Sequence, residues 1–411
     1  MRILLWHGYL LGGTGSNVYT RALAREWSRA GHDVVVVSQE RAPEQYDLGG
    51  ATTVAVDLPG RRLPVFVMDR YEGLDPKYLQ DFTVAERKAY VEANAATLRD
   101  LLPADLVFAN HVLMGAPVGA ATGAPFRVKA HGSELEYSMR GRPELETWAR
   151  EALVQADATY VGSAHIREVL EDVVGHVDRV FEVPPGVDID DFRLQDRDEA
   201  LADLCEEARN DPRNGGNERL PDDGNAERLS AFLGEPGPVV VYFGKLIEQK
   251  GVQILLEAMQ TIDARLVVVG FGPHRPALEA AASPRTLFTG PLEHRHLVHL
   301  LPLADVTVVP SIFPEAFGMV AAEAAAAGSP PLVARHSGLA EVAAGLEVAY
   351  PERLRHLASF APGDARDLRR KLDELLGLPR AEHDTLKRAA RQAVVDRWSW
   401  ATVAQRLLAP V

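Results

Sequence analysis

The chain has 411 residues, 46% hydrophobic and 25% charged, which suits two folded domains, because single cores stop growing near ~250–300 residues, and is not the make-up of a disordered chain. A formal net charge of -14 argues against a broad field for polyanions, so no nucleic-acid partner is expected. The lone cysteine, Cys205, allows no internal disulfide and sits in a polar stretch without partner ligands for a metal, which fits a reducing cytoplasm.

"MRILLWHGYLLGG" opens the chain with an apolar stretch broken by His7 and Gly8, too short for a secretory leader, and "RILLW" is expected to be the first strand. No window approaches the ~18 apolar residues of a membrane span, so any membrane contact is expected to be peripheral. "LLGGTGSN", residues 10–17, is a glycine-rich turn whose backbone amides can hold a phosphate. It is not a dinucleotide fingerprint, since Val18 stands where the third glycine belongs. The helix "NVYTRALAREWSRAG" closes at Gly31, and "DVVVVS", "DLVFAN", "FRVKAHG" and "ATYVGS" continue the strands of a buried parallel sheet with helices between them.

"PPGVDIDDF" contains Asp188 and Asp190 in an Asp-x-Asp pair, but its place after Pro-Pro-Gly argues against a metal site. Residues 205–238 are dense in Asn, Asp, Gly, Pro and charge and are expected to be a mobile insertion or linker. The strand rhythm then restarts with "PVVVYFGK", "ARLVVVGFG" and "DVTVVPS", giving a second doubly wound domain. Lys245 follows the first of these strands and Lys250 precedes the next helix. Only seven of the 44 basic residues are lysines, and two at the ligand-binding end of such a sheet offer point charges to anionic oxygen. "EHRHLVH" carries His294, His296 and His299, which do not share one helix face, so a solvated helix is expected rather than a metal site.

"SIFPEAFGMVAAEAAAAGSPP", residues 311–331, brings Glu315 and Glu323 eight positions apart. On one helix they would lie ~12 Å apart along the axis, too far to share a proton or a metal but suited to two ends of a long ligand. The amides of Ala316, Phe317, Gly318 and Met319 would form the positive end of that helix. From about residue 364 the chain is helical and arginine-rich, ending in "DRWSWATVAQRLLAP". His-Glu-x-x-His, P-loop and Gly-x-Ser-x-Gly patterns are lacking, which removes the main support for metalloprotease, kinase-like and serine-hydrolase readings.

The succession of the Gly-Gly turn and "GHDVVVVS", "KAHGSELE", "YVGS", "PPGVDIDDF", "FGKLIEQKGVQILLEA", "VVVGFGP", "PEAFGMVAAEAAAAGSPPLVA", "GLAEV" and "WSWATVAQRL" resembles the retaining glycosyltransferases of family 4, the glycogen-synthase-like GT-B enzymes. Each stretch is common alone; their order along nearly the whole chain is specific. The resemblance implies an α/β GT-B fold: a Rossmann-like acceptor domain over 1–186, a Rossmann-like donor domain over 187–395, a cleft between them, and a C-terminal helix over 396–411 returning to the first domain. It implies a nucleoside-diphosphate sugar donor, with UDP as the nucleotide, a small-molecule or glycan acceptor, and no metal or other cofactor.

By position, Lys245 and Lys250 correspond to the basic pair on the diphosphate, and Glu323 to the acid on the ribose. Glu315 corresponds to the acid on the transferred sugar, and the amides of Phe317, Gly318 and Met319 to donors near the distal phosphate. Gly290, Pro291 and Leu292 would meet the base, His131 would lie under the sugar, and Gly12 with Gly13 would approach the phosphates. Two positions depart from the family: lysine at 245 where arginine is common, and Ser337-Gly338 where Gly-Gly precedes "LAEV". A GT-B sugar-nucleotide epimerase and a non-catalytic nucleotide-sugar-binding protein are the alternative functions. The loops within 40–80 and 132–145 match no ligand pattern, and neither the acceptor nor the oligomeric state is legible.

Overall fold

Runs of β-branched and aromatic residues without a polar face become the central strands, as expected of sheets covered on both sides. The computed structural model describes residues 1–411 except 14, 67, 69, 70 and 72. Thr14 of the expected phosphate turn, and residues 67, 69, 70 and 72 of the expected acceptor loop, therefore lie outside the described residues.

The chain divides into two units, Met1–Gly186 with Val403–Val411, and Val187–Thr402. In the first, the strands are β1 (Arg2–Trp6), β2 (Asp33–Ser38), β3 (Thr52–Ala55), β4 (Arg62–Val65), β5 (Asp75–Tyr78), β6 (Leu106–Asn110), β7 (Phe126–Lys129), β8 (Ala158–Val161) and β9 (Val180–Glu182). Among the described residues, seven of them form one sheet in the order β3-β2-β1-β6-β7-β8-β9, and β4 pairs with β5. Every pairing is parallel, with Leu4 opposite Val35 on one side and Val107 on the other. Residues 403–411 pack into this unit: Trp27 Nε1 donates to the Ala404 carbonyl at 3.0 Å, and the Tyr160 hydroxyl to that of Leu407 at 3.0 Å.

The second unit repeats the plan. Its strands β10 (Val239–Phe243), β11 (Arg265–Val269), β12 (Thr286–Phe288), β13 (Val306–Val309), β14 (Pro331–Ala334) and β15 (Ser359–Phe360) form a parallel sheet in the order β12-β11-β10-β13-β14-β15. In both sheets the chain first runs outward one way from a central strand and then the other. That reversal opens a crevice at the carboxyl ends of β1 and β6, and of β10 and β13, where ligands settle in such folds. Trp398, in the C-terminal "DRWSW" stretch, packs within this unit: its ring meets Phe317 edge-on at 5.6 Å.

The polar stretch 205–238 corrects an expectation. It is no mobile linker but holds the end of the helix Arg197–Arg209 and the whole of the helix Asn225–Gly234. Asp196 caps the first helix by accepting from the amides of Asp198 and Glu199. Sparse apolar positions at helical spacing, Ala200, Leu204, Ala208, Leu229 and Leu233, all turn inward; the high polar content conceals them. Between the helices Asn214 donates to the carbonyls of Asn217, Leu220 and Pro221 at 2.9–3.1 Å, and Asp222 takes a two-pronged ion pair from Arg275 at 2.9 and 2.6 Å.

The histidine-rich helix His294–Leu300 is also not simply solvated. His296 is fully buried, accepts from the Glu293 amide at 3.1 Å and faces Asp211, while His294 pairs with Asp191 at 2.9 Å. Asp188, from the Asp-x-Asp pair, accepts from the amides of Asp190 and Asp191, so its carboxylate shapes a local turn.

Candidate active site

In the second unit the crevice is built by the loops that leave β10 and β13. Gly251, at φ +70°, starts the helix Val252–Met259; a Cβ there would stand 1.9 Å from the Pro310 carbonyl oxygen, so the two loops touch backbone to backbone. They are stitched further by the Ile312 amide donating to the Gln249 carbonyl at 2.9 Å. This contact brings Lys250 Nζ to Glu315 Oε1 at 2.5 Å, with both side chains only partly exposed. Two residues that the sequence separates by 65 positions thus form one ion pair at the carboxyl edge of the sheet. Lys245, after Gly244, is exposed and is not part of that pair.

Glu315 is not on the helix, contrary to the expectation. Gly318, at φ +118°, interrupts the chain and caps a helix that runs only from Met319 to Ala326. The ~12 Å axial spacing therefore does not apply: Glu315 stands in the preceding loop and Glu323 in the helix. Phe317 is buried and anchors the loop through Trp398. The amides of Phe317, Gly318 and Met319 find no acceptor among the described residues, leaving the donor cluster expected at a helix start. Gly290, at φ +70°, passes its carbonyl to the Gly270 amide at 2.9 Å. Its neighbours Pro291 and Leu292 precede the His294–Leu300 helix, Leu292 being buried.

In the first unit the edge of the sheet carries imidazoles. His131 Nε2 lies 2.8 Å from Asn110 Oδ1. Asn110 spends its own amide on the Trp6 carbonyl and Thr20 hydroxyl at 3.3 and 3.2 Å, so its oxygen accepts and His131 Nε2 carries the proton. Burial, then the charges of His111, Lys129 and His7, hold the His131 pKa well below the ordinary value. His131 is therefore neutral, with an accepting Nδ1. Its ring centroid is 4.6 Å from that of His111.

Glu134, fully buried, accepts from the amides of His131 and Val112 at 3.0 and 3.3 Å and from His111 Nδ1 at 3.4 Å. Burial alone would raise its pKa, but the bond and charge of His111 and two backbone amides outweigh that and leave it lowered. Gly13, at φ +94°, and Gly12 form the turn after β1, which Asn17 closes by donating to the Gly12 carbonyl. Sequence reading missed Asn110, His111 and Glu134. The Glu three places after His131 was the one available signal.

The comparisons with known proteins decide the family. The model described as "Glycosyl transferases group 1" matches residues 225–393, and "Glycosyl transferase 4-like domain" matches residues 14–186. The chain belongs to the GT-B glycosyltransferases. This glycosyltransferase is 29% identical to the D-inositol 3-phosphate glycosyltransferase of Xylanimonas cellulosilytica over 80% of its own length and 77% of that protein. It is 28% identical to the glycogen synthase of Mycobacterium tuberculosis over 98% and 92% of the two chains. Among solved structures, Anabaena HepE in complex with UDP and glucose superposes with a TM-score of 0.66 at 16% identity, covering 98% of this chain and 97% of that one, which establishes the shared fold.

One carboxyl of the glycosyltransferase stands out. Glu323 is half-buried and, among the described residues, has no ion-pair or hydrogen-bond partner; burial pushes its pKa up to about 7. An acid raised in the folded state costs nothing at a pH below its unfolded value. As pH climbs from about 4.5 toward about 7, the unfolded chain sheds its proton first and the native state is progressively penalised. Glu323→Gln should therefore melt with the wild type at pH 4 and stay more stable by roughly 1–3 kcal/mol at pH 8 in the ligand-free protein. Thermal melts across that range check it, and parallel curves would contradict the raised pKa of this half-buried carboxyl.

Proposed function

We propose that this nucleotide-sugar glycosyltransferase is a metal-independent, retaining enzyme of family 4 that uses a UDP-sugar and a small hydroxylated acceptor. The observation that carries the reading is the Lys250–Glu315 pair at the reversal point of the second sheet, in the loop leading to the amides of residues 317–319, which find no acceptor among the described residues. Cation and amides suit the diphosphate, and the acid suits sugar hydroxyls. The charge that develops on the departing diphosphate would be met by Lys250, with Lys245 alongside, which lowers the barrier to leaving. Glu323 would accept from the ribose hydroxyls, Gly290 to Leu292 would meet the base, and in the first unit neutral His131 and the Gly12-Gly13 turn would serve sugar and phosphate.

Retention would follow a front-face course: the bond from the anomeric carbon to the diphosphate oxygen breaks, the acceptor oxygen bonds on the same face, and the acceptor's proton passes to the departing phosphate. UDP is supported by the ligand of HepE, and a polyol or polyol-phosphate acceptor by the name of the inositol 3-phosphate relative. Glycan acceptors, as for the glycogen synthase relative, are the second class to be tried. The single, buried Cys205 is consistent with work in the cytoplasm.

The test incubates the purified chain with UDP-, GDP-, ADP- and TDP-sugars, with and without inositol phosphate or oligosaccharide, and reads products by mass spectrometry and anomeric configuration by NMR. An α-linked product from an α-linked UDP-sugar is expected. Inversion would overturn the mechanism, and donor isomerisation without acceptor would point to an epimerase. Glu323→Ala should weaken nucleotide binding at least tenfold, as loss of a charged hydrogen bond does; unchanged affinity would remove Glu323 from the ribose.

A further inference from the structure

We propose that Ser337 is a positioning residue that fixes Glu315 for sugar recognition, an inference that rests on the reading of Glu315 given above. Ser337 opens the helix Ser337–Ala349 and holds φ +45°, a left-handed conformation that residues with a Cβ rarely adopt. A glycine would occupy that backbone without strain but would offer nothing to its neighbour. Ser337 instead accepts from the Glu315 amide through Oγ at 2.8 Å. The adjacent Gly338 amide donates to the Glu315 carbonyl at 2.9 Å. Glu315 is thus clasped at both its peptide groups by two consecutive residues, while Lys250 holds its carboxylate.

The direction of the Ser337 hydroxyl is set by His336. His336 Nε2 lies 2.7 Å from the Ser311 carbonyl oxygen, which can only accept, so that nitrogen carries the hydrogen. In the neutral ring Nδ1 is then an acceptor, and it lies 3.1 Å from Ser337 Oγ. The serine proton goes to His336, and the oxygen's lone pairs are left for the Glu315 amide. His336 and Ser337 thereby relay the position of the β13 loop, at Ser311, to the acid four residues further on. Conformational strain held in place by such a set of bonds is what a preorganised site requires.

The experiment compares Ser337→Gly, Ser337→Ala and Ser337→Thr with Glu315→Gln in the full chain. It reads kcat and KM for the sugar donor chosen by the panel, Kd for the matching nucleoside diphosphate, and the melting temperature. Ser337→Gly is expected to melt at or above the wild type, since it sheds the strain, yet to lose roughly tenfold or more in kcat with Kd for the diphosphate within twofold. Ser337→Ala should lose as much kcat and melt lower, and Ser337→Thr, which keeps the hydroxyl, should retain more kcat than either. If Ser337→Gly transfers at the wild-type rate while Glu315→Gln does not, the positioning role is wrong. Equal loss of diphosphate binding and kcat in Ser337→Gly would also overturn it, as the mark of a merely structural residue. A fully active Glu315→Gln would instead remove the reading on which it rests.

Discussion

Lys250→Met should lower kcat/KM for sugar transfer by roughly 100- to 1000-fold, the scale of losing one preorganised charge stabiliser from a reacting site. The lysine stands at the point where the loops from β10 and β13 touch, and its Nζ is 2.5 Å from Glu315. It thus places a cation beside Glu315, in the loop that leads to the amides of residues 317–319. The substitution should leave the fold intact, because a pair with 32% and 22% of its side chains exposed contributes only about 0–1 kcal/mol. Lys245→Met, at an exposed position outside the pair, should cost less. Steady-state kinetics beside a thermal melt would check both. A Lys250→Met enzyme within threefold of wild type would show that the diphosphate charge is met elsewhere.

Gly338→Ala is the second large effect expected, through geometry rather than charge. A Cβ on Gly338 would stand 2.5 Å from Cα and 2.6 Å from N of Phe317, and 2.7 Å from the Ala316 carbonyl carbon. These are backbone atoms of the loop that carries Glu315, and backbone cannot swing aside as a side-chain tip can. The loop must move by several tenths of an ångström, the Gly338-to-Glu315 bond must lengthen, and the amides of residues 317–319 must turn. Misplacement on that scale costs roughly 100-fold in rate. Turnover, nucleotide binding and near-ultraviolet dichroism of the neighbouring Trp398 should change together, whereas the far-ultraviolet spectrum should not. Wild-type kinetics in this variant would mean that the loop is freer than its packing implies.

Much of the architecture was legible because it rests on local chemistry. Unbroken runs such as "DVVVVS" and "VVVYF" can hardly be anything but strands buried on both faces, and their spacing around helical stretches leaves few topologies. Residues 205–238 misled because composition averages over positions: a few leucines and alanines at helical spacing, with an aspartate cap, suffice for a packed helix pair. The Glu-x7-Glu spacing suggests one continuous helix carrying both Glu315 and Glu323. The left-handed backbone at Gly318 is a property of a single residue that no periodicity reveals.

The site divides in the same way. The residue types needed for a phosphate and a sugar, Lys245, Lys250, Glu315, Glu323 and His131, could be picked out because lysines are scarce and their order matches a known family. Their partners could not be picked out. Asn110 orients His131 from 21 positions away, Ser337 grips Glu315 from 22, and Lys250 meets Glu315 across 65. The linear chain by itself determined the two parallel sheets, their central strands and the chemical types at the end of each, because strand burial and helix periodicity are written within a few neighbouring residues. Only the tertiary structure decided which cation met which acid, where the helix after β13 began, and that Glu323 has no partner among the described residues. Those facts depend on which loops the crossovers bring together, and hydrogen bonds and burial act over ångströms of space rather than along the chain.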